Sequence, residues 1–116
     1  MKGEGGKMAN IEAVTNEDFE QNVIQSKVPV LVDFFADWCA PCKAQTPILD
    51  DLSGAYDGRI RFAKIDIDVD GNKDLATKYG VLSVPTLILF SNGEIKDTMV
   101  GVTSKKKLEQ KFEQVL

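Results

Sequence analysis

The sequence predicts an α/β protein whose mixed, mostly buried sheet is covered by helices on both faces. Three observations predict it: the apolar run at residues 28–36 (VPVLVDFFA), the alternation of strand-like and helix-like segments before it and after it, and a closing pair of strand-like segments joined by Asn92-Gly93. A short run rich in β-branched and aromatic residues reads as a strand buried on both faces. Strands separated by helices imply parallel neighbours with right-handed crossovers, whereas Asn-Gly supplies the positive φ that a two-residue hairpin needs. The predicted order is βαβαβαββα, without an internal repeat.

Taken in order, residues 1–9 are rich in Gly and Lys without periodicity and read as a flexible tail. Residues 10–116 then form one domain, because a chain of 116 residues supports a single core. Residues 11–14 read as a short strand. Thr15 or Asn16 is placed to cap a helix in which Phe19, Val23 and Ile24 recur at helical spacing, with Glu17 and Asp18 near its positive end. The buried strand at 28–36 is broken only by Pro29 and Asp33. From Cys39 to about Tyr56, Cys42, Gln45, Ile48, Leu49 and Leu52 trace one inward stripe, with Asp50 and Asp51 facing out. Pro41 falls in the first turn, where its missing N–H is harmless, but Pro47 deprives the Lys43 carbonyl of its partner and predicts a kink over 43–47.

Residues 61–67 (RFAKIDI) alternate as a strand, 73–79 support a short helix and Gly80 is placed to end it. Residues 85–90 and 94–100 flank the Asn92-Gly93 turn. Ser104 is placed to cap a closing helix whose apolar face is Leu108, Phe112, Val115 and Leu116.

Composition narrows function. A hydrophobic fraction of 43% and a charged fraction of 28% fit an ordinary soluble domain. Fourteen basic against 18 acidic residues leave a net charge of −4, which repels phosphate backbones, so no nucleic-acid partner is expected. No apolar run approaches the roughly 18–20 residues that span a bilayer, and the first ten residues lack a secretory apolar stretch; no membrane association and a cytoplasmic location are expected. The chain has no histidine, which removes Cys-His and Ser-His nucleophile pairs and any His-ligated metal. Two cysteines alone do not complete a tetrahedral zinc site, so no metal or bound cofactor is expected.

The chemistry is expected at Cys39 and Cys42. Two cysteines three positions apart at a helix start lie on one face about 5–6 Å apart, within disulfide range. Cys39, at the positive end of the helix, is the expected nucleophile, and Cys42, a turn deeper on the inward stripe, is the better shielded resolving thiol. The bland alternative is a pair of reduced, buried structural cysteines. Asp33 interrupts an apolar strand; burial would raise its pKa towards that of a proton acceptor working near neutrality. By itself this pattern better fits a strand-end aspartate satisfied by backbone or by Lys64, because structural pairs also perturb pKa. Trp38 is an exposed recognition residue or simple packing.

The segment Val30-Leu31-Val32-Asp33-Phe34-Phe35-Ala36-Asp37-Trp38-Cys39-Ala40-Pro41-Cys42-Lys43 resembles the active-site region of the thioredoxin family, and the match extends through Pro47, Asp66, Val84-Pro85-Thr86, Asn92-Gly93 and Gly101. The resemblance implies a thioredoxin fold, a central five-stranded mixed sheet flanked by four helices. It implies that Asp33 accepts the Cys42 proton, that Lys64 modulates Asp33, and that the Val84-Pro85 bond is cis. A substrate rim of Trp38, Ala40, Pro41, Val84, Pro85, Gly101 and Val102 would follow, with the Val84 backbone beside Cys39 pairing an extended segment in strand-like fashion. Two departures stand out: Ala40 replaces the usual Gly, and Phe35 stands where a Trp is common. Ala40 bears on the reduction potential rather than on the reaction.

The resulting expectation is a monomeric protein-disulfide reductase with a redox-active Cys39–Cys42 disulfide. Electrons come from NADPH through a thioredoxin reductase or from a ferredoxin-linked reductase, and pass to disulfide-containing protein substrates. A disulfide oxidase or isomerase of secreted proteins, and a thioredoxin-fold binding or scaffold subunit, are the competing expectations.

Overall fold

The computed structural model describes residues 10–116, so the tail read at residues 1–9 lies outside the described residues. Five strands form one sheet in the order β1-β3-β2-β4-β5. At its centre β2 (Val30–Phe35) pairs parallel with β3 (Arg61–Asp66) and antiparallel with β4 (Thr86–Ser91). β1 (Ile11–Ala13) extends the sheet beyond β3 in parallel, and β5 (Glu94–Val100) extends it beyond β4 antiparallel. The helices are α1 (Ala40–Ala55), α2 (Asn72–Lys78) and α3 (Lys105–Glu113), preceded by a π-helical segment, Glu20–Ile24.

Alternation along β2 builds both cores at once. Val30, Val32 and Phe34 face Phe19, Val23, Leu75 and Phe90, while Leu31 faces the opposite way towards Leu49, Leu52, Leu108 and Phe112. Phe19, Tyr79 and Phe90 close the first core with ring centroids 5.4–5.6 Å apart. Tyr56, Phe62 and Phe112 close the second at 5.0 and 5.6 Å.

Local signals place most elements. Asn92 and Gly93 have φ of 55° and 78°, as their hairpin requires. Ser104 Oγ accepts the Lys107 N–H at 3.2 Å and starts α3. Helix α1 runs on through Pro47.

Three sequence readings are corrected. A helix between two strands does not make them parallel here: β4 follows α2 yet runs antiparallel to β2. With seven residues, α2 is about 10 Å long, half the roughly 20 Å of a six-residue strand, so it does not return the chain to the end where β3 began. The first helix is π-helical, and neither Thr15 nor Asn16 caps it; instead the Thr15 N–H and hydroxyl both donate to Asp18 Oδ1, at 2.8 and 3.4 Å. Leu116 lies beyond α3 and is exposed, because the helix ends at Glu113.

Candidate active site

Helix α1 begins where β2 has left the sheet, at its C-terminal end, and Cys39 is its N-cap residue. Cys39 and Cys42 form a disulfide, with Cα atoms 5.3 Å apart. The Cys42 N–H, one of the donors a helix start leaves unpaired, donates to Cys39 Sγ at 3.1 Å. Cys39 Sγ also lies 3.6 Å from the Val84 carbonyl oxygen, and the Val84-Pro85 peptide is cis. Ala36, Phe35, Ile67 and Val84 pack around the two sulfurs.

Shielding does not distinguish the two cysteines, contrary to the sequence reading. Both are 3% exposed, because the Val84 loop covers Cys39 as fully as the helix covers Cys42. What separates them is hydrogen bonding: Cys39 Sγ occupies the position of a capping oxygen and receives the N–H that stabilises negative charge there.

Asp33 sits on the α1 side of β2, in register with Lys64 of β3 and Leu87 of β4. It is 6% exposed, and among the described residues its Oδ1 is the buried side-chain oxygen without a hydrogen-bond partner. Burial raises its pKa to about 7, with the nearby Lys64 charge pulling it back down. The alternative of an aspartate satisfied by backbone or by Lys64 therefore fails for that oxygen. Lys64 Nζ lies over the Phe35 ring, 5.9 Å from its centroid.

Asp33, Phe35, Thr46 and Lys64 line an opening of about 120 Å³, and Phe35 and Thr46 also line a second one, of about 120 Å³, with Cys42 and Lys43. Both have room for water beside polar partners. The opening beside Asp33 and the one beside Cys42 thus adjoin at Phe35 and Thr46, which line both.

Trp38 is exposed on the rim, its Nε1–H donating to Asp68 Oδ2 at 2.8 Å. Ala40 and Pro41 are exposed beside it, Val84 and Gly101 half-buried. Pro85 is instead buried: it lies beneath the rim, and its carbonyl accepts the Gly101 N–H at 2.8 Å. Sequence reasoning missed Ile67, Val81 and Leu82, which with Trp38, Ser83 and Val84 line an open cleft of about 340 Å³. Leu82 is 97% exposed, and its presence in the short apolar-polar segment YGVLSVP carries no signal of that. Asp68 was equally invisible, one acid among several in IDIDVDGNKD.

A family model described as Thioredoxin matches residues 10–114. The chain is 45% identical over 95 residues to a thioredoxin of Rickettsia felis, covering 82% of this chain and 89% of that one. It is 44% identical over 99 residues to a thioredoxin of Pseudomonas aeruginosa, with 85% and 90% covered. Against "Thioredoxin 1" of a Nostoc species it is 40% identical over 109 residues, with 94% and 100% covered.

Proposed function

The chain belongs to the thioredoxin family, and from that premise we propose the role of each residue at its site. The protein is a thiol–disulfide reductase acting through Cys39 and Cys42, and the family's chemistry needs no prosthetic group.

Its substrates are disulfides of other proteins. Reduced Cys39, as thiolate, attacks one substrate sulfur, forming a mixed disulfide and releasing the first substrate thiolate. Cys42 passes its proton to Asp33 and attacks Cys39 Sγ; the second substrate thiolate leaves, and two electrons have moved from dithiol to substrate. The N–H of Cys42 aimed at Cys39 Sγ supports the first role. The buried, unpaired Oδ1 of Asp33 and the neighbouring openings beside Asp33 and Cys42, which share Phe35 and Thr46, support the second. Lys64, in register with Asp33, tunes that proton affinity.

Trp38, Ala40, Pro41, Val84 and Gly101 receive an extended substrate segment, and Pro85 supports them from below. The dithiol is regenerated by a thioredoxin reductase drawing on NADPH, or by a ferredoxin-linked one, in the reducing cytoplasm. Among the described residues no helix is long and apolar enough to cross a membrane.

The observation that carries this reading is the Cys39–Cys42 disulfide at the start of α1, with Cys39 as N-cap. Insulin reduction, followed by NADPH consumption with a thioredoxin reductase present, tests it. Turnover is expected, with Cys39→Ser abolishing it; absence of turnover with every reductase sinks the reading.

A further inference from the structure

Gln45 is a polar residue with no place in the chemistry above, yet it is fully buried, one turn along α1 from Cys42. Its amide grips a single backbone unit from both sides. Oε1 accepts the Thr103 N–H at 2.7 Å, and Nε2 donates to the Thr103 carbonyl at 3.0 Å. A side-chain amide here makes the paired contacts that a neighbouring strand would make.

Thr103 belongs to the link between β5 and α3, and that link reaches the sulfur. The Thr103 hydroxyl donates to the Gly101 carbonyl at 3.2 Å, the Gly101 N–H donates to the Pro85 carbonyl, and the Val84 carbonyl adjoins Cys39 Sγ. A closed circuit therefore runs from Cys39 through the Val84-Pro85 loop and the Gly101–Thr103 link to Gln45, and back along α1 to the cysteines. Without Gln45, the link would keep its bond to the Val84-Pro85 loop and lose the paired hydrogen bonds that tie Thr103 directly to α1.

We propose that Gln45 is a positioning residue that holds the Gly101–Thr103 link as a fixed wall against which a protein substrate aligns its disulfide with Cys39. This rests on the reading of the site as a protein-disulfide reductase. An extended segment spans the wall, so its alignment depends on Gln45; a small disulfide touches only the sulfur.

The test compares Gln45→Met, similar in length and lacking both polar atoms, with the unsubstituted chain on insulin and on hydroxyethyl disulfide. The ratio of kcat/KM for insulin to that for hydroxyethyl disulfide is expected to fall about tenfold or more, carried by kcat, since misplacing a reacting group by about 1 Å costs up to about a hundredfold. An equal change on both substrates overturns the proposal, as a purely structural role moves both together. No reduction of either disulfide by the unsubstituted chain would instead sink the reductase reading itself. Should Gln45→Met fail to fold, amide hydrogen exchange in the Cys42→Ser chain, trapped with a peptide on Cys39, reads the same wall. Exchange at Gly101 and Thr103 slowed about tenfold by the peptide supports the proposal, and unchanged exchange overturns it.

Discussion

On the face of the sheet under Glu20–Ile24 and α2, β2 presents Val30, Val32 and Phe34, and Phe90 of β4 meets Phe19 and Tyr79. On the face under α1 and α3, the row that begins with Leu31 continues with Asp33, and the row of Phe62 continues with Lys64. Both faces follow from one alternation, but the second gives up apolar contact at Asp33 and Lys64. An ionisable group is held there where its charge is costly, and that cost brings its pKa near neutrality. One face stores stability, and the other gives some of it up to hold a carboxyl that titrates near neutrality.

Substituting the dry face should have the largest effect on stability. Phe90→Ala is expected to lower unfolding free energy by about 3–5 kcal/mol in denaturant titration. Insulin turnover per folded molecule should stay unchanged. A comparable loss of turnover would erase the contrast between the faces.

The effect at Asp33 has the opposite sign. Its folded pKa of about 7 lies above the ordinary 3.8, so between those values the folded chain holds a proton that the unfolded chain has released. Stability is then fully present below about pH 4 and falls as pH rises through 7, by on the order of 4 kcal/mol in all. Asp33→Asn should remove that slope and leave the protein as stable or more so at neutral pH, while slowing the step in which Cys42 resolves the mixed disulfide. Equilibrium unfolding against pH checks the first outcome and single-turnover kinetics the second; unchanged resolution refutes the role of Asp33.

The smallest effect is expected outside both faces, where Lys111 pairs with Asp97 at 2.7 Å between α3 and β5. The Lys111 hydrogen bond holds the Asp97 carboxyl below the usual range, so its contribution is present above about pH 4 and is lost as pH falls through the lowered value. Lys111→Met should cost less than about 1 kcal/mol, and nothing once Asp97 is protonated in both states. A larger cost, measured by thermal unfolding, would mean that this half-buried pair belongs to the core.

Much of the fold was legible because its signals are local. Asn92-Gly93 carries its own turn geometry, Ser104 its own cap, and 28–36 its own burial. The dithiol was legible for the same reason, since both cysteines share one helical turn. Asp33 stood out because a charge inside an apolar run is conspicuous. The direction of β4, the burial of Pro85 and the equal shielding of the cysteines were not legible, for each depends on which distant segment arrives. Gln45 was readable as inward-facing, but Thr103, 58 positions away, gives no local sign of being its partner.

The sequence by itself determined the elements, the reacting pair and the one charge in the central strand, because periodicity, turn chemistry and spacing act over a few residues. Only the tertiary structure decided that Cys39 receives the Cys42 N–H and adjoins the Val84 carbonyl, that Asp33 keeps a buried, unpaired oxygen, and that Gln45 ties the rim to the helix. Those facts arise where segments far apart in the chain are brought within hydrogen-bond reach, and burial there sets the value of every charge and amide.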